Sequence, residues 1–225
     1  MTASLLKRAV AEGIGTALLL AAVVGSGIMA ARLSGGNVAL ALLANAIATG
    51  GALVTLIVTF APISGAHFNP LVTLALLPRG DGKAHAVLAY IAAQAIGAVG
   101  GVVLAHAMFG LPILEWSSHV RATPGEWLGE FVATFGLIGL IMSGDRHLPA
   151  ALPYAVAAYI TAAYWFTSST SFANPAVALA RALTDTFAGI RPQDVPGFIA
   201  AECAGAGSAA ILFGWLLSRE RFERR

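Results

Sequence analysis

The chain has 225 residues, of which 58% are hydrophobic and 11% are charged, and its formal net charge is +2. An ordinary soluble domain has about 25% charged residues, so this composition, with a mean hydropathy of +0.80, indicates a protein of the lipid bilayer. The one cysteine, Cys203, excludes an intrachain disulfide, and no Cys/His cluster has the spacing of a metal site. We expect no metal, no other cofactor and no nucleic-acid partner.

Six long apolar segments follow one another along the chain, and each is near the ~20 residues that a helix needs to cross the hydrocarbon layer. They cover residues 9–31, 38–60, 84–107, 127–143, 150–168 and 197–217. The first is too long for a removable signal peptide and lacks a small-residue cleavage site, so we expect it to remain in the protein. Six crossings place both ends of the chain on one side of the membrane.

The basic residues predict which side that is. With six crossings, one side carries Lys7, Arg8, Arg79, Lys83, Arg146, Arg219, Arg221, Arg224 and Arg225. The other side carries Arg32, Arg121, Arg181 and Arg191. Because Lys and Arg are enriched in cytoplasmic loops, both termini are predicted to be cytoplasmic.

Two shorter apolar stretches, 69–77 and 174–184, each begin at an Asn-Pro pair and are too short to span the bilayer. Asparagine suits the cap of a helix, and proline suits its first turn, where a missing N–H costs nothing. Each stretch is therefore predicted to be a half-helix that ends within the membrane. Irregular backbone before such a start is tolerated only where it is buried or lines a watery path.

The two halves of the chain resemble each other. The string "AEGIGTALLL" at 11–20 is similar to "GEFVATFGLI" at 129–138, and "YIAAQAIGA" at 90–98 is similar to "FIAAECAGA" at 198–206. We therefore predict a single channel domain, 1–225, made of a first repeat, 1–110, and a second, 111–225. Three crossings per repeat is an odd number, so the copies lie in opposite orientations, and the two Asn-Pro starts meet near mid-membrane.

With the paired Asn-Pro boxes, "SGAHFNP" before the first and a glutamate opening each half, the chain resembles the aquaporin, or major intrinsic protein, family over nearly its whole length. The resemblance implies an all-α membrane protein with six transmembrane helices, two re-entrant half-helices and an inverted repeat. The boxes are Asn69-Pro70-Leu71 and Asn174-Pro175-Ala176. The family has alanine in the third position of both boxes, so Leu71 is a departure.

The resemblance also implies roles for the residues around the boxes. Asn69 and Asn174 direct amide N–H groups into a pore, and Glu12 and Glu130 accept hydrogen bonds from the buried loops before the half-helices, a structural role favoured over proton transfer. His67 braces its loop. A rail of carbonyl acceptors is expected from Gly65, Ala66, His67, Ser171, Phe172 and Ala173.

The family sets its narrowest section with four residues, one of them an arginine three positions after the second asparagine. Counting from the boxes gives Thr49, Ala162, Ser171 and Val177 here. The arginine is therefore replaced by Val177, and small side chains at all four places predict a wide, uncharged filter. Arg181, one turn beyond Val177, takes over part of the arginine's role in one interpretation; in the favoured one it is a solvated rim residue or a partner of Asp185.

We therefore expect a passive channel for small uncharged solutes and not an enzyme. A filter without the arginine makes this chain resemble the bacterial aquaporins of arsenic-resistance operons. That resemblance implies arsenite, other neutral metalloid acids, polyols and water as solutes. The main alternative is a general glycerol and water facilitator. An ion-coupled carrier and an intramembrane enzyme remain further alternatives. A homotetramer in the bacterial inner (plasma) membrane is the expectation that comes with the family.

Overall fold

The fold is built from helices that begin where the sequence supplies caps. In this computed structural model, which describes residues 3–76 and 84–218, α1 (Leu5–Leu33) follows the cap Ser4 and α2 (Val38–Ser64) follows the cap Asn37. The remaining long helices are α4 (Ala84–Phe109), α5 (Pro124–His147), α6 (Leu152–Phe166) and α8 (Val195–Leu216). The two short ones are α3 (Pro70–Leu76) and α7 (Pro175–Arg181).

The six long helices lie at the six apolar segments predicted from the sequence. Within the described residues, five of them are long and apolar enough to cross a membrane. The exception is α6, with 15 residues, which is about 22 Å long at ~1.5 Å per residue. The end predicted for the first half-helix, residue 77, lies outside the described residues, as do the basic residues at 79, 83, 219, 221, 224 and 225.

Glycine allows the long helices to approach closely. A Cβ placed on Gly97 of α4 would lie 2.2 Å from the Gly13 carbonyl oxygen of α1, so no side chain fits there. In the second half of the chain, a Cβ on Gly205 of α8 would lie 2.4 Å from the Phe131 carbonyl oxygen of α5. Lipid offers no hydrophobic drive for association, and such close contacts between small residues hold membrane helices together.

The two halves of the chain pack in the same way. Helix α1 packs on α2 and α4, and correspondingly α5 packs on α6 and α8. The half-helix α3 contacts α4, α7 contacts α8, and the two half-helices contact each other. We call the side of the membrane opposite the chain ends the far face; it carries residues 34–37, 110–123 and the segment after α6.

Candidate functional site

The two half-helix starts are joined by a reciprocal pair of hydrogen bonds. The Nδ2 atom of Asn69 donates to the Ala173 carbonyl at 2.7 Å, and the Nδ2 atom of Asn174 donates to the Phe68 carbonyl at 2.8 Å. The Oδ1 atom of each asparagine caps its own half-helix: it accepts from the Leu71 N–H in the first box and from the Ala176 N–H in the second. Each asparagine thus keeps one amide N–H that neither bond uses.

The loop before each half-helix has an unusual backbone. The first contains left-handed residues at Ala66 (φ 51°) and Phe68 (φ 49°), and the second contains them at Ser171 (φ 54°) and Ala173 (φ 49°). A left-handed residue with a side chain costs on the order of 1–2 kcal/mol. Such strain persists only where the surroundings fix the backbone in several places.

Buried carboxylates supply that fixation. Glu12 accepts hydrogen bonds from the backbone N–H groups of His67 (2.9 Å) and Phe68 (2.7 Å). Glu130 does the same for Phe172 (2.8 Å) and Ala173 (2.7 Å). Both glutamates are fully buried, so their contacts have the geometry that a structural role requires.

A third carboxyl lies under the second loop. Glu202 of α8 accepts the Asn174 N–H at 3.0 Å through Oε1, and its carboxyl group also pairs with that of Glu130. At the corresponding place in the first half, Gln94 of α4 donates to Glu12 at 2.8 Å and to Thr73 at 2.9 Å. The two halves therefore differ in chemistry at one buried position.

A cavity of about 130 Å³ surrounds the two half-helix starts. Its wall is mostly apolar, with aliphatic side chains from the long helices α1, α2, α5 and α6. Polar groups are confined to the two loops, the two asparagines and a few side chains. The predicted site residues on the wall are Thr49, Gly65, Ala66, His67, Asn69, Ser171, Phe172, Ala173, Asn174 and Val177.

The proline and third residue of each box do not border the cavity. Pro70, Leu71, Pro175 and Ala176 are buried among the helices. Leu71 is 6% exposed and packs in the apolar core. The departure at Leu71 therefore leaves the cavity wall unchanged.

The prediction for Ala162 is wrong, because this residue is exposed on the outer surface of the chain and does not border the cavity. Tyr164, two residues further along α6, is on the wall instead, and its hydroxyl lies 3.2 Å from the Thr49 hydroxyl. The wall here is aromatic, whereas the ungapped count from Asn174 predicted a small side chain.

The carbonyl rail stays a prediction, and two carbonyls at the middle of the cavity already accept one hydrogen bond each. The Ala173 carbonyl accepts the hydrogen bond from Asn69 and the Phe68 carbonyl accepts that from Asn174, so each of these oxygens already has a donor. Phe68, Tyr164 and Asp145 line the cavity without having been singled out from the sequence. Phe68 could have been found, because it precedes Asn69 as Ala173 precedes Asn174.

Arg181 is neither solvated nor paired with Asp185. Its exposed fraction is 2% and it lines the cavity. Asp185 instead accepts hydrogen bonds from the backbone N–H and hydroxyl of Ser118, which hold the pKa of this carboxyl below its ordinary value. The favoured sequence interpretation of Arg181 is therefore wrong.

Arg121 fixes the far-face loops. It donates from Nε to the Gly189 carbonyl at 2.9 Å and from Nη1 to the Ser169 carbonyl at 3.2 Å. Its burial lowers the pKa of the guanidinium. The loop before α5 also pairs with the chain after α7, through the Ser117 N–H and the Ala182 carbonyl at 3.0 Å.

Within residues 3–76 and 84–218, no group of three His, Cys, Asp or Glu side chains could hold a metal ion.

Six long helices with two half-helices that meet inside an apolar cavity define an integral membrane protein of the aquaporin fold. A model of the family described as "Major intrinsic protein" matches residues 1–148, and the chain belongs to this family.

Individual proteins agree with this assignment. An aquaglyceroporin, AqpS, of Rhizobium meliloti (strain 1021) is 55% identical over 152 residues, which are 68% of this chain and 65% of that relative. The match thus covers less than two thirds of the relative's length. The X-ray structure of the aquaglyceroporin from Plasmodium falciparum superposes with a TM-score of 0.67 and 20% identity, over 95% of each chain. That similarity concerns the fold.

Proposed function

We propose that the protein is a passive channel for small uncharged solutes: arsenous acid and other neutral metalloid acids, polyols such as glycerol, and water. The observation that carries the proposal is the reciprocally bonded asparagine pair inside the cavity. Each asparagine holds its orientation through the other half-helix and keeps one N–H for a passing oxygen atom. Rigid donors of this kind orient a hydroxyl or a water molecule without binding it tightly.

The electrostatics favour neutral solutes over cations. Both half-helices begin at the middle of the cavity, and each helix start carries roughly +0.5 of an elementary charge. Among the described residues, the carboxylate on the cavity wall is Asp145, which lies at the end of α5 near the chain ends. An ion-coupled carrier would need a negative or cation-coordinating group at the middle, so we favour a channel.

The side chains on the cavity wall near the second Asn-Pro box determine which sizes of solute we expect to pass. Val177 and Ser171 are small residues on the cavity wall, and a valine at 177 places no guanidinium there. The relative that is 55% identical is named an aquaglyceroporin, which supports polyol passage. The proposal that arsenite passes through the channel rests on the resemblance of this arginine-free pattern to the aquaporins of arsenic-resistance operons. A general glycerol and water facilitator is the second candidate, and arsenite flux distinguishes the two.

The remaining parts of the proposal concern the cell. We place the protein in the bacterial inner membrane with both termini in the cytoplasm, as the distribution of Lys and Arg favours. A homotetramer and the division into repeats 1–110 and 111–225 belong to the same proposal.

Osmotic swelling of proteoliposomes against water, glycerol, urea and arsenous acid tests the function. We expect each flux to exceed that of empty liposomes and to be independent of proton or sodium gradients. Thr49→Trp fills the cavity wall and should suppress the larger solutes. Thr55→Trp makes the same change on the exposed face of α2 and should leave all fluxes unchanged. Equal loss in both variants, or flux that follows an ion gradient, would contradict a channel through this cavity.

A further inference from the structure

Arg181 is a buried cation at the far-face end of the cavity. It is the last residue of α7, one helical turn beyond Val177, and only 2% of its surface is exposed. Arginine is almost never this deeply buried without a partner. Its placement therefore needs an explanation beyond the packing of α7.

Two contacts fix the plane of the Arg181 guanidinium. Its Cζ atom lies 3.4 Å from the centroid of the Phe172 ring, and its Nε atom donates to the Ala188 carbonyl. Among the described residues, neither terminal nitrogen of Arg181 donates to a protein acceptor. Since Arg181 lines the cavity, its terminal N–H groups are available to whatever occupies that space.

Among the residues that the structure describes, no carboxylate pairs directly with this charge. In the part of the chain that the structure describes, the ion pair is Arg191 with Asp194, at 2.7 Å. A second guanidinium, that of Arg121, lies 5.2 Å from the same Phe172 ring centroid. By the sum of the two distances, the guanidinium carbons are at most 8.6 Å apart. The far-face end of the cavity is therefore positively charged and rich in donors.

Arg121 and Arg181 differ in how much of their donor capacity the protein uses. Arg121 gives Nε and Nη1 to loop carbonyls, whereas Arg181 gives only Nε. A guanidinium is a planar fork with five N–H donors and no acceptor. Arg181 thus presents a fixed fork, and the Tyr164 and Thr49 hydroxyls lie on the wall of the same cavity.

We infer that Arg181 is the solute-selecting donor of this channel, favouring solutes with several oxygen atoms and excluding cations at the far-face end. The inference rests on the proposed function and adds the residue that discriminates among neutral solutes. A solute with two adjacent oxygens can accept two N–H groups of the fork at once. A solute of equal size without two adjacent oxygens loses part of this contact.

The test compares two solutes of similar size, glycerol and propane-1,3-diol, of which only glycerol has hydroxyl groups on adjacent carbon atoms. Flux through wild-type proteoliposomes, corrected for empty liposomes, should favour glycerol. In Arg181→Met the ratio of glycerol flux to propane-1,3-diol flux should fall about fivefold, the effect of losing roughly one hydrogen bond. Potassium leak should rise in the same variant, because the positive charge is lost.

Two further variants separate charge, donors and fold. Arg181→Lys keeps the charge but not the fork, so it should retain cation exclusion and lose most of the solute preference. Arg32→Met removes a charge from an exposed arginine at the far-face end of α1 and should change neither readout. The gel-filtration profile and the yield report folding.

Three results would overturn the inference: no preference for glycerol in the wild type, an unchanged ratio in Arg181→Met with normal water flux, or equal loss of all fluxes in folded Met and Lys variants. The last would assign Arg181 a purely structural role. Failure of the proposed function is distinct, because it removes the wild-type glycerol flux itself.

Discussion

At the scale of single residues, the two asparagines combine three tasks in one amide group. Asn174 caps α7 through Oδ1, holds the Phe68 carbonyl through one N–H, and keeps the second N–H for the cavity. Asn69 performs the matching tasks for α3. Only a side chain with an acceptor and two donors can do all of this, which is why serine or aspartate, both good helix caps, cannot replace asparagine here.

Asn174→Asp tests this combination. The carboxylate can still cap α7 but has no N–H for the Phe68 carbonyl, and it places a negative charge against the half-helix starts. We expect potassium leak to rise severalfold in planar bilayers and glycerol flux to fall. Asn37→Asp makes the same change at the exposed cap of α2 and should leave both unchanged. A folded Asn174→Asp protein without cation conductance would show that this residue does not shape the barrier.

At the scale of elements, α7 carries both the small residue and the cation of the far-face end. Val177 and Arg181 lie one turn apart on this seven-residue helix and border the same cavity. Helix α6 contributes Tyr164 to the wall of this cavity, whereas Ala162 of the same helix is exposed on the outer surface. The position of a residue along α7 therefore decides whether its side chain contacts the solute at the far-face end of the cavity or closer to its middle.

Val177→Arg tests the width of this section. A second guanidinium, one turn from Arg181, would fill space and add donors, so glycerol and arsenous acid flux should fall at least tenfold more than water flux. Stopped-flow light scattering of proteoliposomes measures all three. Ala162→Leu, which adds bulk to α6 outside the cavity, should be neutral. Equal reduction of water and glycerol by Val177→Arg would remove residue 177 from the size filter.

The elements were predictable from sequence where strong local chemistry marks them. Asn-Pro pairs mark both half-helices, and the ~20-residue apolar lengths mark the long helices. The inward face of α6 was not predictable, because both lipid and an apolar cavity wall accept hydrophobic side chains and no polar stripe distinguishes them. For this reason the residue count back from Asn174 predicted Ala162 as a filter residue and did not identify Tyr164. The burial of Arg181 depends on Phe172 and Ala188, which only the folded loops bring near it.

At the scale of the whole molecule, the two halves use the same backbone solution with different buried chemistry. Glu12 and Glu130 brace equivalent loops, but beside them stand Gln94 in one half and Glu202 in the other. Since Gln94 donates to Glu12, an amide at residue 202 could donate to Glu130, whose carboxyl the Glu202 carboxyl already contacts. The second half should therefore tolerate an amide side chain at residue 202, as the first half does at residue 94.

The matched pair Glu202→Gln and Glu130→Gln tests this relation. Glu202→Gln keeps an acceptor for the Asn174 N–H and gains a donor, so its thermal unfolding temperature should equal or exceed that of the wild type. Glu130→Gln turns an NH₂ group toward one of two backbone donors and should destabilise the protein by about 2–3 kcal/mol, with flux per folded molecule retained. Thermal unfolding in detergent measures both. The same destabilisation in both variants would contradict the proposed equivalence.

The reciprocal bonds between the asparagines and the opposite carbonyls also bear on how the protein is made. When the first half has left the ribosome, the Asn69 amide and the Phe68 carbonyl have no partners, because residues 173 and 174 have not yet been synthesised. The middle of the channel can therefore close into its final shape only late in translation, after α6 has entered the membrane. A cell that makes this protein thus holds an unfinished first half in its membrane until the second half arrives.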